Sequence, residues 1–142
     1  MRYLFGFLCV MALGVMGSAM GCGEDVCAAA CGDGGLVVEM EPMLESAYDV
    51  ELDLDGVAGA FTCDRSNLGA WTPAHQTGSA EAVSECSDFR FRVGETPAAV
   101  EISIRAQDGS WTGSVKESPS YERITVCGTL CPPRATVTVA KQ

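Results

Sequence analysis

Apolar and polar residues alternate along most of the chain beyond residue 36. Tyr48, Val50, Leu52 and Leu54 are interleaved with Asp49, Glu51, Asp53 and Asp55. Phe89, Phe91 and Val93 enclose Arg90 and Arg92. Val100, Ile102 and Ile104 alternate with Glu101, Ser103 and Arg105, and Val137 and Val139 alternate with Thr136 and Thr138. A period of two sends one set of side chains to a core and the other to water, which predicts half-buried strands. Weaker alternation predicts further strands over 36–40, 59–64, 111–116 and 121–126. The stretch 78–86 has room for one helical turn, and no segment carries the pattern of a long helix. Asp108-Gly109 lies between two predicted strands and suits the positive φ angles of a hairpin turn. All six prolines fall between predicted strands, where the missing N–H does no damage. The pattern therefore predicts an all-β fold, an antiparallel β-sandwich of about eight short strands, with a closed barrel as the alternative.

The N-terminus has a different pattern. Arg2 is the only charge before Glu24, and an apolar run from Tyr3 to Met16 leads to the small residues Gly17, Ser18, Ala19 and Gly21. A basic start, a short apolar stretch and a small-residue exit make a secretory signal peptide. The run falls short of the roughly 20 residues a membrane span needs. The exit Ala19-Met20-Gly21-Cys22 resembles the lipobox of bacterial lipoproteins. Gly21 and Cys22 match its two tightest positions, whereas Ala19 stands where Leu is usual and Met20 is bulky. The resemblance implies cleavage before Cys22 and transfer of a diacylglycerol to its thiol. It also implies the outer membrane rather than the inner, because Gly23 is not the Asp that retains lipoproteins. Two or more acyl chains give stable anchoring, at about 0.8 kcal/mol per buried CH₂. The expected organisation is a signal peptide over 1–21, a lipidated cysteine with a Gly- and acid-rich tether over 22–35, and a β-sandwich over 36–142. The sandwich resembles immunoglobulin-like and transthyretin-like domains in architecture alone, since no Tyr stands two residues before Cys127.

Composition narrows the function classes. The chain has 142 residues and a formal charge of −10, which becomes −11 once Arg2 leaves with the signal peptide. Such a domain is a poor match for nucleic acid, which is bound by replacing counterions with basic groups, and it stands off from anionic lipid heads. Of eight cysteines, Cys9 leaves with the signal. Lipidation of Cys22 leaves Cys27, Cys31, Cys63, Cys86, Cys127 and Cys131, an even set suited to disulfides in an oxidising compartment. Local pairing is the simplest expectation: Cys27–Cys31, Cys127–Cys131, and Cys63–Cys86 closing the longest stretch without strand signals. A thiol oxidoreductase would use one close pair as its labile bond.

Candidate chemistry is sparse. Glu51-Leu-Asp53-Leu-Asp55-Gly56 begins like a calcium loop, but Thr62 stands where the closing bidentate carboxylate belongs. These acids alternate with apolar residues and read better as the solvated face of a strand. His75, the only histidine, is expected in a loop without a Gly-x-Ser-x-Gly nucleophile nearby. Trp71 and Trp111 are the candidate ligand contacts, as stacking platforms, or else core fillers. No metal or cofactor is expected. The expected function is that of a non-catalytic binding or structural module of the cell envelope, held to the membrane through Cys22 and meeting an envelope protein or glycan. The alternative is a small secreted carboxylate-based hydrolase or thiol oxidoreductase.

Overall fold

A computed structural model describes residues 30–142. The signal peptide, Cys22 and Cys27 lie outside the described residues. The strands are β1 (Gly35–Glu41), β2 (Tyr48–Leu54), β3 (Val57–Arg65), β4 (Trp71–Gly78), β5 (Val83–Cys86), β6 (Arg90–Val93), β7 (Val100–Ala106), β8 (Thr112–Glu117), β9 (Thr125–Val126), β10 (Thr129–Leu130) and β11 (Arg134–Ala140). They form a four-stranded sheet in the order β11-β1-β6-β5 and a five-stranded sheet in the order β4-β3-β2-β7-β8. β9 and β10 pair only with each other as a separate ribbon. The architecture is the expected disulfide-stapled sandwich. One pairing departs from the antiparallel rule, because β11 runs parallel to β1, with Gly35 opposite Arg134 and Glu41 opposite Ala140.

Period-two alternation translates directly into burial. In β2, Tyr48, Val50, Leu52 and Leu54 are buried while Asp49 and Glu51 face water. In β7, Val100, Ile102, Ile104 and Ala106 are buried and the residues between them are exposed. Leu36, Val38, Met40, Phe91, Val93, Val137 and Val139 line the opposing sheet. The layers interlock where Phe61 meets Phe91 edge to face, with ring centroids 5.2 Å apart, a favoured aromatic geometry. Tyr48 is fully buried, and its hydroxyl donates to the carbonyl of Ser87 at 2.8 Å. Burial and the nearby Asp88 carboxylate hold that phenol well above its usual range.

Turn chemistry sets the connections. Asp55 and Gly56 both have positive φ, at 53° and 87°, so this Asp-Gly pair makes the two-residue turn between β2 and β3. Asp108-Gly109 does link β7 to β8, but in a longer loop that Ala106 closes by donating to Trp111 at 2.8 Å. Only the glycine of that pair has positive φ.

Four expectations are corrected. The region expected to be a loop around His75 is edge strand β4, and Pro73 lies inside it, tolerated because an edge strand has no neighbour on one side. The 63–86 interval is not structureless: it contains β4, a 3-10 turn over Ser79–Ala82 and β5. The strand expected over 121–126 reduces to a bridge between Glu122 and Arg134 and the short β9. Among the disulfides, Cys63–Cys86 forms as expected and joins the two sheets, with Cα atoms 6.1 Å apart. Cys31, however, bonds Cys131 across 100 residues, with Cα atoms 5.2 Å apart. The local pairs Cys27–Cys31 and Cys127–Cys131 are thereby overturned, although Cys127 is itself disulfide-bonded. The reason is geometric. Cys127 sits in the turn between β9 and β10, whereas Cys131 leaves β10 beside Cys31, whose Cα lies 5.2 Å away, within the span a disulfide bridges.

The sandwich has two distinct ends. Gly35, Val93 and Arg134 of one sheet lie at the same end as Leu54, Val57, Val100 and Glu117 of the other. The hydrogen bond from Asp55 N–H to Ala99 O (3.0 Å) continues the β2–β7 ladder at this end. Cys31 brings the chain in at this end. The opposite end carries loops 42–47, 66–70, 87–89 and 107–111.

Candidate functional site

The outward face of the five-stranded sheet carries polar side chains on adjacent strands. Strand register arranges them in rows. Thr62, Asp49 and Arg105 lie side by side across β3, β2 and β7, with Thr112 next on β8. The adjacent row is Thr77, Ala60, Glu51, Ser103 and Ser114, and the last is Ala58, Asp53, Glu101 and Lys116. The small side chains of Ala58, Ala60 and Ser103 leave a floor below the longer acids and Arg105. The result is a shallow depression of about 520 Å³ over the first two rows, lined by Asp49, Glu51, Thr62, His75, Ser103, Arg105, Ser114 and Gln142 among others. A second hollow of about 560 Å³ shares Glu51, Ala60 and Ser103 and extends towards Asp53 and Glu101.

A local irregularity brings His75 into this site. Register between β3 and β4 shifts between Ala60 and Thr62, and His75 takes a positive φ of 54°. Such a bulge re-aims side chains at a sheet edge. Here it leaves the imidazole exposed beside the acidic row, while Gln76 turns the other way and donates to the carbonyls of Ala80 (2.8 Å) and Val83 (2.7 Å). Gly59 makes the tight packing behind the bulge possible. A Cβ there would lie 2.4 Å from Ala80 N and 2.6 Å from Thr77 O.

Hydrogen bonds order part of the face. Asp49 accepts from Thr62 Oγ1 at 2.8 Å and from Gln107 Nε2 at 3.3 Å. Gln142 Nε2 donates to Ser114 Oγ at 3.1 Å. Lys116 reaches Glu101 at 2.7 Å, and that contact holds its ammonium above the usual range. Glu51 has no hydrogen-bond or ion-pair partner among the described residues, so its carboxylate is available to a ligand. Asp49, Glu51 and Asp53 stand in line along β2, with Glu101 beside Asp53 on β7, and all face the open side of the sheet. This arrangement suits polar recognition better than the opposed carboxyl groups of glycoside hydrolysis, which face each other across a bound sugar.

The other candidates fall elsewhere. The acidic row over 51–55 is the solvated strand face expected of it, and its last two members serve turns. Asp53 accepts from Gly56 N–H at 2.7 Å, and Asp55 accepts from Ala99 N–H at 2.8 Å. Trp111 is corrected as a ligand contact: it is 3% exposed and belongs to the core. Trp71 is half-buried at the end of the sandwich, tilted against Tyr48 at 6.1 Å with the Arg65 guanidinium 5.6 Å from its ring centroid. Neither tryptophan lines the polar depression. Among the described residues no group of three His, Cys, Asp or Glu side chains is placed to hold a metal ion. Ser103, Arg105, Ser114 and Gln142 escaped the sequence reading, because their grouping is a product of strand order. No family model, curated protein or solved structure matches this chain.

Proposed function

We propose that this chain is an exported, lipid-anchored protein of the bacterial envelope whose β-sandwich is a non-catalytic binding module. Its contact surface is the polar face of the five-stranded sheet, and the occupant that face fits best is an envelope glycan. The observation that carries this reading is the strand-borne depression itself. It presents hydroxyls, an unpaired carboxylate, a guanidinium, an imidazole and a terminal amide in fixed rows, and rigid sheet elements hold such groups more accurately than loops do. The disulfides Cys31–Cys131 and Cys63–Cys86 fit an oxidising, non-cytoplasmic location. No helix among the described residues is long and apolar enough to cross a membrane, and the lipobox-like Cys22 supplies the anchor in this reading.

Two measurements test it. Intact mass of the membrane-fraction protein should begin at Cys22 and carry acyl mass, and Cys22→Ser should lose both the mass and the fractionation. An unmodified mature chain would remove the anchor. Titration of the ¹⁵N-labelled domain with soluble peptidoglycan fragments should shift the amides of Thr62, His75, Ser103 and Ser114, and Arg105→Ala should weaken binding roughly tenfold, the loss of one good charged contact. Shifts centred on Trp71, or none on this face, would refute the assignment of the site.

A further inference from the structure

Residues 124–133, Ile-Thr-Val-Cys-Gly-Thr-Leu-Cys-Pro-Pro, carry no charge, although one residue in five of the chain is charged. Arg123 and Arg134 bracket this run. It folds as the β9–β10 ribbon, outside both sheets, turned by Cys127 and Gly128 with positive φ of 50° and 78°. Ile124 and Leu130 are each 59% exposed. Cys131 N–H donates to Ile124 O at 2.8 Å, and Leu130 pairs with Thr125. Alternation along a ribbon therefore places Ile124 and Leu130 on its two opposite faces.

That placement discriminates between occupants. A protein partner laid against a ribbon covers one face, so it selects apolar residues on that face alone. Immersion in a lipid surface wets neither face and accepts apolar residues on both. The position of the ribbon points the same way. Its base adjoins the Cys31–Cys131 disulfide, through which the chain enters the sandwich. Cys22 precedes Cys31 by nine residues, a reach of at most about 30 Å when fully extended and about 17 Å for a flexible chain. An acylated Cys22 thus keeps this end of the domain at the bilayer. Arg123, at the base of this uncharged insertion, stands where a guanidinium meets headgroup level while its stem remains in apolar surroundings, whereas Arg134 donates to the Asp33 carbonyl at 2.7 Å.

We infer that the 124–133 ribbon is a membrane-contacting element that dips into the interfacial layer of the bilayer holding the Cys22 lipid. The sandwich then stands on its entry end, with Met43, Leu68 and Phe89 on the opposite loops directed away from the membrane and the polar sheet face exposed laterally. The inference rests on the lipid-anchored reading, and the two are tested separately. Full-length acylated protein carrying Trp71→Phe and one added reporter, Leu130→Trp or Leu68→Trp, with core Trp111 as a background common to both, is reconstituted in vesicles of phosphatidylethanolamine and phosphatidylglycerol containing a brominated acyl chain. Quenching of the Leu130→Trp signal at least threefold stronger than that of Leu68→Trp supports the ribbon insertion. Equal quenching in protein of verified acyl mass overturns it and leaves the anchor standing. Absence of acyl mass on Cys22 overturns both. An Ile124→Asp/Leu130→Asp variant provides the second reading. It should keep acyl mass, fold and vesicle association, yet lose protection of the ribbon from backbone hydrogen exchange on the vesicles. Unchanged protection would also overturn the inference.

Discussion

Replacing both Cys31 and Cys131 with alanine, in a Cys127→Ala background that removes the further disulfide of Cys127, probes the longer of the two disulfides seen among the described residues. Their bond spans 100 residues, and loop-closure entropy assigns a constraint of that length about 4.7 kcal/mol. The Cys63–Cys86 bridge lies inside this loop and shortens the effective path to about 78 residues, but the logarithmic dependence lowers the figure only to about 4.5 kcal/mol. Neither half-cystine sits among large core side chains, although Cys131 is 2% exposed, so lost packing adds little. For a domain of about 110 residues each kcal/mol moves the melting temperature by about 4 °C, so the double variant should melt about 18 °C lower. Its dependence on urea should also steepen, because the released chain exposes more surface on unfolding. Urea and thermal unfolding of the non-reduced proteins measure both quantities. Under the local alternative, a Cys127–Cys131 bond, that background leaves Cys131 unpaired and the double variant loses no loop constraint. A loss below about 2.5 kcal/mol would therefore refute either the long-range connectivity or the entropic account of it. Non-reducing digestion between residues 31 and 131 decides which.

Two further predictions concern the scaffold of the candidate site. Gly59→Ala should cost about 3 kcal/mol, because the new Cβ meets Ala80 N, Thr77 O and Ser79 N within 2.7 Å, all of them backbone atoms; a shift in urea midpoint under a third of that would show that β4 yields easily. Tyr48→Phe should cost about 1 kcal/mol at neutral pH through the lost hydrogen bond to Ser87. The same phenol has a folded-state pKa above its unfolded value. Its contribution is therefore complete below pH ~10 and is lost as pH rises beyond it, by about 1.4 kcal/mol per unit. Tyr121, pushed up to about 12 mainly by burial, acts with the same sign. Stability measured from pH 8 to pH 11 should fall steeply in the native protein and less in Tyr48→Phe, and parallel curves would contradict the assignment.

The strands legible in the sequence are those with two neighbours or one fully buried face. In β2 and β7 each buried residue is flanked by polar ones, so burial writes itself into the alternation. β4 was not legible, for three physical reasons. It is an edge strand, so Pro73 costs it no ladder hydrogen bond. Its residues are mostly half-buried or exposed, which removes the apolar signal. The bulge at His75 then shifts its parity midway. Edge strands are the elements a hydrophobic pattern describes least, and this one happens to deliver the only imidazole to the polar face. Two of the three expected disulfides failed for a related reason, whereas Cys63–Cys86 forms as expected. Closeness in sequence is not closeness in space: Cys127 sits in the ribbon's turn, while parallel pairing of β1 with β11 brings Cys31 to Cys131 from distant parts of the chain.

The candidate site was legible one strand at a time and no further. The row of Asp49, Glu51 and Asp53 announces a solvated face, and Glu101, Ser103 and Arg105 announce another. Only the register of β2 against β7 sets Asp49 beside Arg105 and Glu51 beside Ser103. A one-residue slip in that register would send every one of these groups into the core, so the apolar residues of β2 and β7 specify the polar face as firmly as they specify the interior. Val50, Leu52, Ile102 and Ile104 are each no more than 3% exposed, and their packing fixes where the acids, the hydroxyl and the guanidinium stand. Recognition by this face therefore depends on core residues that touch no ligand. The ribbon at the entry end depends on no such register. Its uncharged composition between two arginines is a property of the sequence alone, while its seat beside the Cys31–Cys131 bond and the placement of Ile124 and Leu130 on opposite faces come from the fold.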